Sequence, residues 1–334
     1  MKRTFLFLVL TICTVLNINS APLKELQHLD SMLVRKPGLI RQKETAISRL
    51  RYRFFSSRNN HYRLAVCRKL VNQYIYFQYD SAKAYAGRGL LIAQQMNRAE
   101  DINFFKIYKA RILSTGGIYD AALRLMNEVN ENTLTFTNQK EYCITMTDLY
   151  RRWAFYCKDN EYTPKYFSES RRWLTKLMSY ISKDDSAYNF YQAKYLMEVE
   201  GNIELANEYF LKTIRRMPAS ERYYARACFS YARNLWDAGN SNAAIRYMAM
   251  SASGDIAACT LDNSASKALA DFLITDDPEN SILAEKYINV ALNDAKSYNN
   301  RLRLVEISQS LIPILTAYKA QLSHKEHIRF YVLI

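Results

Sequence analysis

The sequence predicts an all-α protein, a right-handed α-solenoid of stacked helix pairs, and three observations support that fold class. The 334 residues include only 8 Gly and 6 Pro, against average usages of roughly 7% and 5%, so the many tight turns of β-sandwiches and barrels are disfavoured. Apolar residues make up 49% and charged residues 23%, which is typical of a globular chain. A small residue followed by an apolar or aromatic pair recurs about every 40 residues, the spacing of a two-helix repeat.

We expect residues 1–20 to be a secretory signal peptide. Lys2 and Arg3 form its charged start, and the apolar run over 4–16 is shorter than the ~20 residues that span a bilayer. Small residues around Ala21 then mark a cleavage point, with an uncleaved signal anchor as the alternative. The protein is therefore predicted to be exported and periplasmic, with tethering to the inner membrane as a further option.

The net charge of the chain bears on the kind of partner that it can bind. The formal net charge is +14, but an exported chain meets no nucleic acid in its usual compartment, so we expect no nucleic-acid contact and either a solvated basic surface or an acidic partner.

Five cysteines follow the signal, an odd number without a CxxC motif. We predict that they are buried core residues, and a bridge between Cys143 and Cys157 is left open.

Residues 21–57 do not follow the repeat. We predict that they form an N-terminal capping helical hairpin, since a solenoid needs an atypical end unit. An apolar stripe runs from Leu26 to Leu33, Pro37 and Gly38 break it, and a second helix with basic residues on one side follows. A helix lying on a membrane surface is the alternative.

The repeats are expected over residues 58–322. In the clearest copy, Gly201 ends one helix, Ala206 opens the next, an aromatic pair follows at Tyr209, and Pro218 stops the second helix. The residue at the Ala206 position is small because the two helices of a pair must approach closely there. Equivalent small residues, one for each second helix, are Ala82, Ala122, Ser170, Ala206, Ala244 and Ala284.

This pattern resembles tetratricopeptide repeats, whose second helix carries the same Gly, Ala, aromatic and terminal Pro arrangement. The likeness is specific for the second helices and looser for the first ones. That family's strict period is about 34 residues, and the Gly expected in the first helix is replaced here by Lys194 or Cys228. The resemblance implies that the first helices line a concave binding face.

Further short stretches carry a narrower resemblance. They are Leu29-Asp30-Ser31, Arg35, Lys43-Glu44, residues 77–82, Arg301-Leu302, Ile307-Ser308, Pro313-Ile314 and Tyr318. Together they resemble the uncharacterised membrane-anchored tetratricopeptide regulators of Bacteroidota type. That resemblance implies a signal peptide, a periplasmic sensor made of helical repeats, one transmembrane helix, and a cytoplasmic coiled coil with a regulatory region.

The chain would correspond to the sensor region of such a regulator alone. Residues 323–334 are basic and then apolar, so we interpret them as the truncated start of a transmembrane helix or as a tail packed on the last repeat. Membrane association through this tail is one option, and the oligomeric state is left open.

The sequence contains no recognisable catalytic or metal-binding motif. HExxH, Walker, GxGxxG and GxSxG patterns do not occur, and His324 with His327 lacks a clear third metal ligand. The paired carboxylates that begin at Asp184 and Asp276 are interpreted as helix caps. We therefore expect no enzyme activity, no metal and no cofactor.

Binding of a periplasmic protein or peptide is the favoured function, as the sensor part of a membrane-anchored regulator. Concave repeat faces suit extended peptides and partner helices, and Tyr and Arg often dominate interface energies. A surface glycan-capture protein on the same scaffold is the alternative, although Cys13 does not fit a lipid-attachment site, and an envelope enzyme ranks third. The candidate concave-face residues are Tyr188, Tyr191, Tyr195, Arg226, Arg233 and Asn234.

Overall fold

A computed structural model describes residues 23–333, with side chains described for residues 24–323. The predicted signal peptide lies outside the described residues. Within residues 23–333 the regular structure is entirely helical, with fourteen α-helices and two short 3₁₀ turns. In chain order the helices α1 to α14 are Leu23–Ser56, Asn60–Tyr74, Tyr79–Gln95, Ala99–Thr115, Tyr119–Asn127, Phe136–Cys157, Tyr162–Met178, Tyr188–Glu198, Ile203–Arg216, Arg222–Asp237, Ser241–Ala257, Ala265–Asp276, Ser281–Tyr298 and Arg301–Leu333.

Helices α2 to α13 form six antiparallel pairs in chain order, and each pair packs against its neighbours. The predicted small residues confirm this assignment, because each one lies in the second helix of its pair and is fully buried or nearly so. Ala206, for example, is 0% exposed. The space that a larger side chain would need is occupied by the partner helix, so helical pairing at this distance depends on a small residue.

The turns inside the clearest pairs follow from their local chemistry. Gly201 and Gly239 have φ angles of +70° and +79°, a left-handed conformation that ends a helix and that glycine adopts without a Cβ penalty. Asn202 then accepts a hydrogen bond from the Leu205 backbone N–H at 3.0 Å, and Asn240 caps the next second helix in the same way. These caps satisfy backbone donors that would otherwise lack a partner at the helix start.

The predicted capping hairpin at residues 21–57 is wrong, because the described part of this segment is one continuous helix, α1, with Pro37 inside it. Its first half contributes Leu26 and Leu29 to an apolar cluster formed by α10 to α14. Its second half contributes Ile47 and Phe54 to the cluster around α2 to α4. Proline removes one helical hydrogen bond, but burial on both sides of Pro37 keeps the helix in place.

Helix α1 therefore joins the first and last repeats, which also touch each other directly. The Leu261 N–H donates to the Tyr76 carbonyl at 2.8 Å, and the Tyr298 hydroxyl donates to the Ile75 carbonyl at 2.8 Å. Asp262, beside Leu261, contacts the same turn. We call this junction, made of Ile75, Tyr76, Leu261, Asp262 and Tyr298, the seam.

Gly117 extends the contact between distant repeats to α14. A Cβ placed on Gly117 would lie 2.8 Å from Leu302 Cδ1, and the Gly117 φ angle is +79°. Both the backbone conformation and the close approach therefore require glycine at this position. The repeat array is closed on itself rather than open at its ends.

Helix α14 continues past Pro313 to Leu333 and so includes most of the predicted tail at 323–334. Ile307 and Ile314 are buried against α12 and α13, whereas Ile312 on the opposite side is largely exposed. Among residues 23–333, no helix contains a stretch that is both long enough and apolar enough to cross a bilayer.

Candidate functional site

The first helices of the middle repeats bring polar and aromatic side chains to one side of the array. Arg111 lies on α4, Asp148 on α6, Tyr191 on α8, and Tyr223 and Arg226 on α10. We call the surface formed by these five residues the inner face. Each of them interacts with the first helix of another repeat, so the inner face is continuous across four repeats.

Arg111 anchors one end of the inner face. Its Nη2 donates to the Glu141 carboxylate at 2.8 Å and to the Thr145 hydroxyl at 2.8 Å. Burial opposes the charge on Arg111, but Glu141 and the nearby Tyr76 and Tyr108 hold its pKa well above the ordinary value. Arg111 therefore stays charged and paired, as a buried guanidinium must.

Asp148 lies at the centre of the inner face and contacts two arginines. Its Oδ1 accepts from Arg151 Nη2 at 3.2 Å and from Arg226 Nη2 at 3.4 Å. Burial alone would raise the pKa of Asp148, but the surrounding arginines, Arg226 first among them, hold it well below its usual range. The carboxylate is therefore ionised and ties α6 to α10.

Aromatic rings lie on the other side of Arg226. The Arg226 guanidinium lies 4.5 Å from the centroid of the Phe190 ring, a cation–π distance. The Tyr191 and Tyr223 hydroxyls are 3.4 Å apart, and burial raises the pKa of both phenols. They are therefore neutral hydrogen-bonding groups at physiological pH.

Two further arginines connect the inner face to the seam. Arg152 Nη2 lies 3.4 Å from Asp262 Oδ2, and Asp262 also accepts from Asn300 Nδ2 at 2.9 Å. The Arg222 guanidinium lies 3.6 Å from the centroid of the Tyr76 ring. The first helix of the fifth pair therefore touches the end of the first helix of the first pair.

The six residues predicted as a concave-face site do not all lie together. Tyr191 and Arg226 meet on the inner face, where Tyr191 is 2% exposed. The other two tyrosines, Tyr188 and Tyr195, are half-buried against the core of the middle repeats. Their role in binding stays a prediction.

The remaining two predicted residues lie toward the other end of α10. Asn234 donates through Nδ2 to Asn207 Oδ1 on α9 at 2.7 Å, and Arg233 is exposed. Seven residues of helix separate Arg226 from Arg233, which corresponds to a rise of roughly 10 Å. The structure therefore does not place Arg233 and Asn234 in the same group as Tyr191.

Sequence reasoning missed the charged partners of the inner face, namely Arg111, Asp148, Arg152 and Arg222. The sequence feature that could have identified these residues is an ionisable residue inside an otherwise apolar helical stretch, as at Asp148 beside the buried Leu149. Lys194 is a second example, since it is buried and pairs with Glu198 one turn later.

The described residues include no group of His, Cys, Asp and Glu side chains arranged to hold a metal ion. All five described cysteines are free thiols, so the Cys143–Cys157 bridge that was left open is not formed. Four of them are buried, and burial raises the pKa of Cys67 and of Cys143 to about 12. Cys157 is half-buried, which corrects the expectation that all five are buried core residues.

The predicted carboxylate caps are present in part. Asp185 Oδ1 accepts from the Ala187 backbone N–H at 2.9 Å and also pairs with Lys140. Asp277 accepts from the Glu279 backbone N–H at 2.9 Å. These carboxylates stabilise turns at the start of helical segments.

A family model described as the SusR N-terminal TPR domain matches residues 33–309. The chain belongs to this family. The match extends from within α1 to the first part of α14, so the seam and the inner face both lie inside the SusR N-terminal TPR domain. It confirms the predicted tetratricopeptide fold and the resemblance to regulators of Bacteroidota type.

The other comparisons with known proteins add little evidence for the family assignment. No curated protein matches the chain. Among solved structures, a chain of the "TPR2AB-domain:pHSP90-complex of yeast Sti1" matches with 15% sequence identity and a TM-score of 0.33, covering 75% of this chain and 98% of that one. The assignment to the SusR N-terminal TPR domain family therefore rests on the family model and on the arrangement of the helices.

Proposed function

We propose that this chain is a non-catalytic binding module that recognises a protein or peptide on its inner face, as the periplasmic sensor part of a membrane-anchored regulator. The single observation that carries the proposal is the position of Arg226 on the inner face, where it stays 17% exposed while Asp148 and Phe190 hold its guanidinium. Membership in the SusR N-terminal TPR domain family supports a helical-repeat binding module.

The chemistry of the inner face suits recognition rather than catalysis. Arginine offers directional hydrogen bonds from a planar fork, and it is enriched among residues that carry binding energy. Arg226 is positioned by Asp148 on one side and by Phe190 on the other, so its fork loses little side-chain entropy when a ligand binds.

The test begins with capture from an envelope extract by the immobilised chain, followed by identification of the retained species by mass spectrometry. The captured protein or a peptide from it is then titrated calorimetrically. We expect Arg226→Lys to weaken the affinity at least tenfold, because lysine keeps a charge for Asp148 but loses the planar fork. Arg216→Lys, at an exposed position on α9, is the matched control.

Unchanged affinity in the Arg226→Lys variant would move the binding surface away from the inner face. Equal losses in Arg226→Lys and Arg216→Lys would contradict a specific role of the Arg226 fork. Capture of glycan alone would contradict the assignment to protein or peptide ligands.

Export is proposed on the sequence of residues 1–20 and has its own test. Cell fractionation should place the protein in the periplasm, and N-terminal sequencing should find a mature chain that begins at Ala21. A cytoplasmic chain with an intact Met1 would contradict export.

Glycan capture is a second candidate because of one specific surface feature. The Trp153 ring stacks on Tyr166 with centroids 4.5 Å apart and on Tyr119 at 5.5 Å. Tyr150 and Tyr162 extend the row at longer distances, and Tyr162 is exposed. We call these five residues the aromatic row, and flat aromatic faces of this kind can pack against the C–H faces of sugar rings.

The aromatic row is tested by titrating oligosaccharides while following tryptophan fluorescence. Binding that is lost in Tyr166→Ala, but kept in Tyr52→Ala, would support glycan capture, since Tyr52 is exposed on α1 far along the sequence from the row. An unchanged signal with all oligosaccharides would remove this candidate.

A further inference from the structure

Four arginines converge where the inner face meets the seam, and we call them the inner arginine cluster. They are Arg151 and Arg152 on α6 and Arg222 and Arg226 on α10. Asp148 pairs with Arg151 and Arg226, and Asp262 pairs with Arg152. Among the described residues, these two carboxylates are the ones that form ion pairs with the cluster.

Arg222 is the member of the cluster whose charge is least compensated. It forms no ion pair with any described residue, and its guanidinium rests on the Tyr76 ring at 3.6 Å. Its Nε is buried and has no hydrogen-bond partner among the described residues. A buried donor without an acceptor is unfavourable, so this N–H is available to donate a hydrogen bond to a ligand oxygen.

The acidic groups near Arg222 are poorly suited to supply that oxygen. Asp148, whose pKa Arg222 helps to lower, already pairs with Arg151 and Arg226. Asp262 pairs with Arg152 and accepts from Asn300. The third, Asp255 on α11, has a pKa held well above its ordinary value by burial, which the pull of Arg222 only partly opposes. This shift favours the uncharged form of Asp255.

The cluster can be reached from solvent. The side chains of Arg226, Arg152 and Arg151 are 17%, 22% and 33% exposed, and Arg222 is half-buried. The site therefore combines partial access with partial desolvation, conditions under which charge-assisted hydrogen bonds are strong.

We propose that the inner arginine cluster binds a carboxylate group of the ligand, with Arg222 as the residue that recognises it. The Tyr76 ring orients the guanidinium plane, and a carboxylate matches the paired N–H groups of an arginine fork. The inference rests on the proposed function, since Arg226 belongs both to the cluster and to the inner face. The carboxylate can come from an acidic peptide or from a small free acid.

The experiment uses the full chain at constant ionic strength and two matched probe pairs. Glutarate is compared with its neutral diamide, and an acetylated, amidated four-Glu peptide is compared with the four-Gln peptide. Thermal unfolding and calorimetric titration give the midpoint shift and the dissociation constant for each probe. Only ligands that bind the folded state raise the unfolding midpoint.

We expect at least one carboxylate probe to raise the midpoint while its neutral analogue does not. Arg222→Gln should weaken that binding at least tenfold, whereas the exposed Arg216→Gln should leave it unchanged. The unliganded Arg222→Gln protein should melt close to the wild type, because the substitution removes the unpaired Nε donor together with the contact to the Tyr76 ring. If Arg222→Gln does not fold, Arg222→Lys, which keeps the charge, serves as the second variant.

The outcomes separate this inference from the proposed function. Equal stabilisation by the neutral probes, or binding that survives loss of Arg222, would overturn the carboxylate site even if an Arg226-dependent protein partner is captured. Arg222-dependent binding of glutarate without any captured protein or peptide would support the site and contradict the peptide assignment. Preference for the four-Glu peptide over glutarate would identify the acidic peptide as the source.

Discussion

The helix pairs of the repeats and the seam are held together in different ways. Within the α8–α9 pair, Gly201, Asn202 and Ala206 shape the turn and the close contact over a few residues of sequence. In the seam, the Tyr298 hydroxyl reaches the Ile75 carbonyl across 223 residues. The pairs depend on local pattern and apolar burial, whereas the seam depends on the curvature accumulated over all six pairs.

The difference has a consequence for folding and stability. Stacked repeats fold from local contacts and share stability with nearest neighbours. A junction between the first and last repeats closes a very long loop, so its contacts can form only after the intervening pairs are in place. We therefore expect the seam and α1 to make the array unfold as one cooperative unit.

The largest effect is expected from a cavity inside a helix pair. Phe210 on α9 is 0% exposed and packs near Phe190, so Phe210→Ala should lower the free energy of unfolding by about 3–5 kcal/mol. Chemical denaturation followed by circular dichroism measures the change. The control Phe136→Ala removes a ring that is 59% exposed and should cost less than about 0.5 kcal/mol. Similar losses in the two variants would contradict the assigned burial.

The second-largest loss of stability is expected from breaking the ion pair that links α1 to the last repeats. Lys36 pairs with Asp294, whose side chain is 7% exposed. Lys36→Met leaves that carboxylate without its cation, and the free energy of unfolding should fall by about 3 kcal/mol at neutral pH. Adding Asp294→Asn should recover much of the loss, because the uncompensated charge disappears with it.

The pH dependence gives the Lys36 prediction an independent check. Burial raises the pKa of Asp294, and Lys36 opposes that rise, so the pKa should rise further in Lys36→Met. A carboxyl whose folded-state pKa is raised costs stability as the pH increases through that pKa. The defect of Lys36→Met should therefore shrink on acidification from pH 7 toward pH 5, and a constant or growing defect would contradict it.

The sequence predicted the pairs better than it predicted the seam, for a physical reason. The small residues at Ala206 and its equivalents fix helix pairing locally, so their spacing was enough to predict the solenoid. The continuity of α1 through Pro37 could not be predicted, since it depends on two distant apolar clusters that bury both halves of the helix.

The residues of the candidate site also differ in how well the sequence predicted them. Tyr191 and Arg226 were identifiable as first-helix residues of types that favour binding. Asp148 and Arg222 were not, because their partners are chosen by how first helices from different repeats meet. Arg222 gains its role only when the array closes and brings Tyr76 against it.

A smaller effect tests the turn chemistry of the pairs. Gly201 has a φ angle of +70° with open space around it, so Gly201→Ala should cost about 1–2 kcal/mol through backbone strain alone. Gly87→Ala is the matched comparison, because Gly87 lies inside α3 with nothing near its missing Cβ and no positive φ. That substitution should stabilise the protein by about 0.5–1 kcal/mol. Effects of the same sign in both variants would contradict the assigned backbone conformations.

The smallest change in stability tests whether the seam acts as one unit. Tyr298→Phe removes the hydroxyl that donates to the buried Ile75 carbonyl, at an expected cost of about 1 kcal/mol. Because Leu261 donates to the neighbouring Tyr76 carbonyl, its amide should exchange with deuterium faster although it is not itself altered. Tyr287→Phe is the control, since that hydroxyl donates to Asp30 on α1 instead. Faster exchange at Leu261 in Tyr298→Phe alone would identify a cooperative seam, whereas unchanged exchange there would mean that the contacts of the seam open independently.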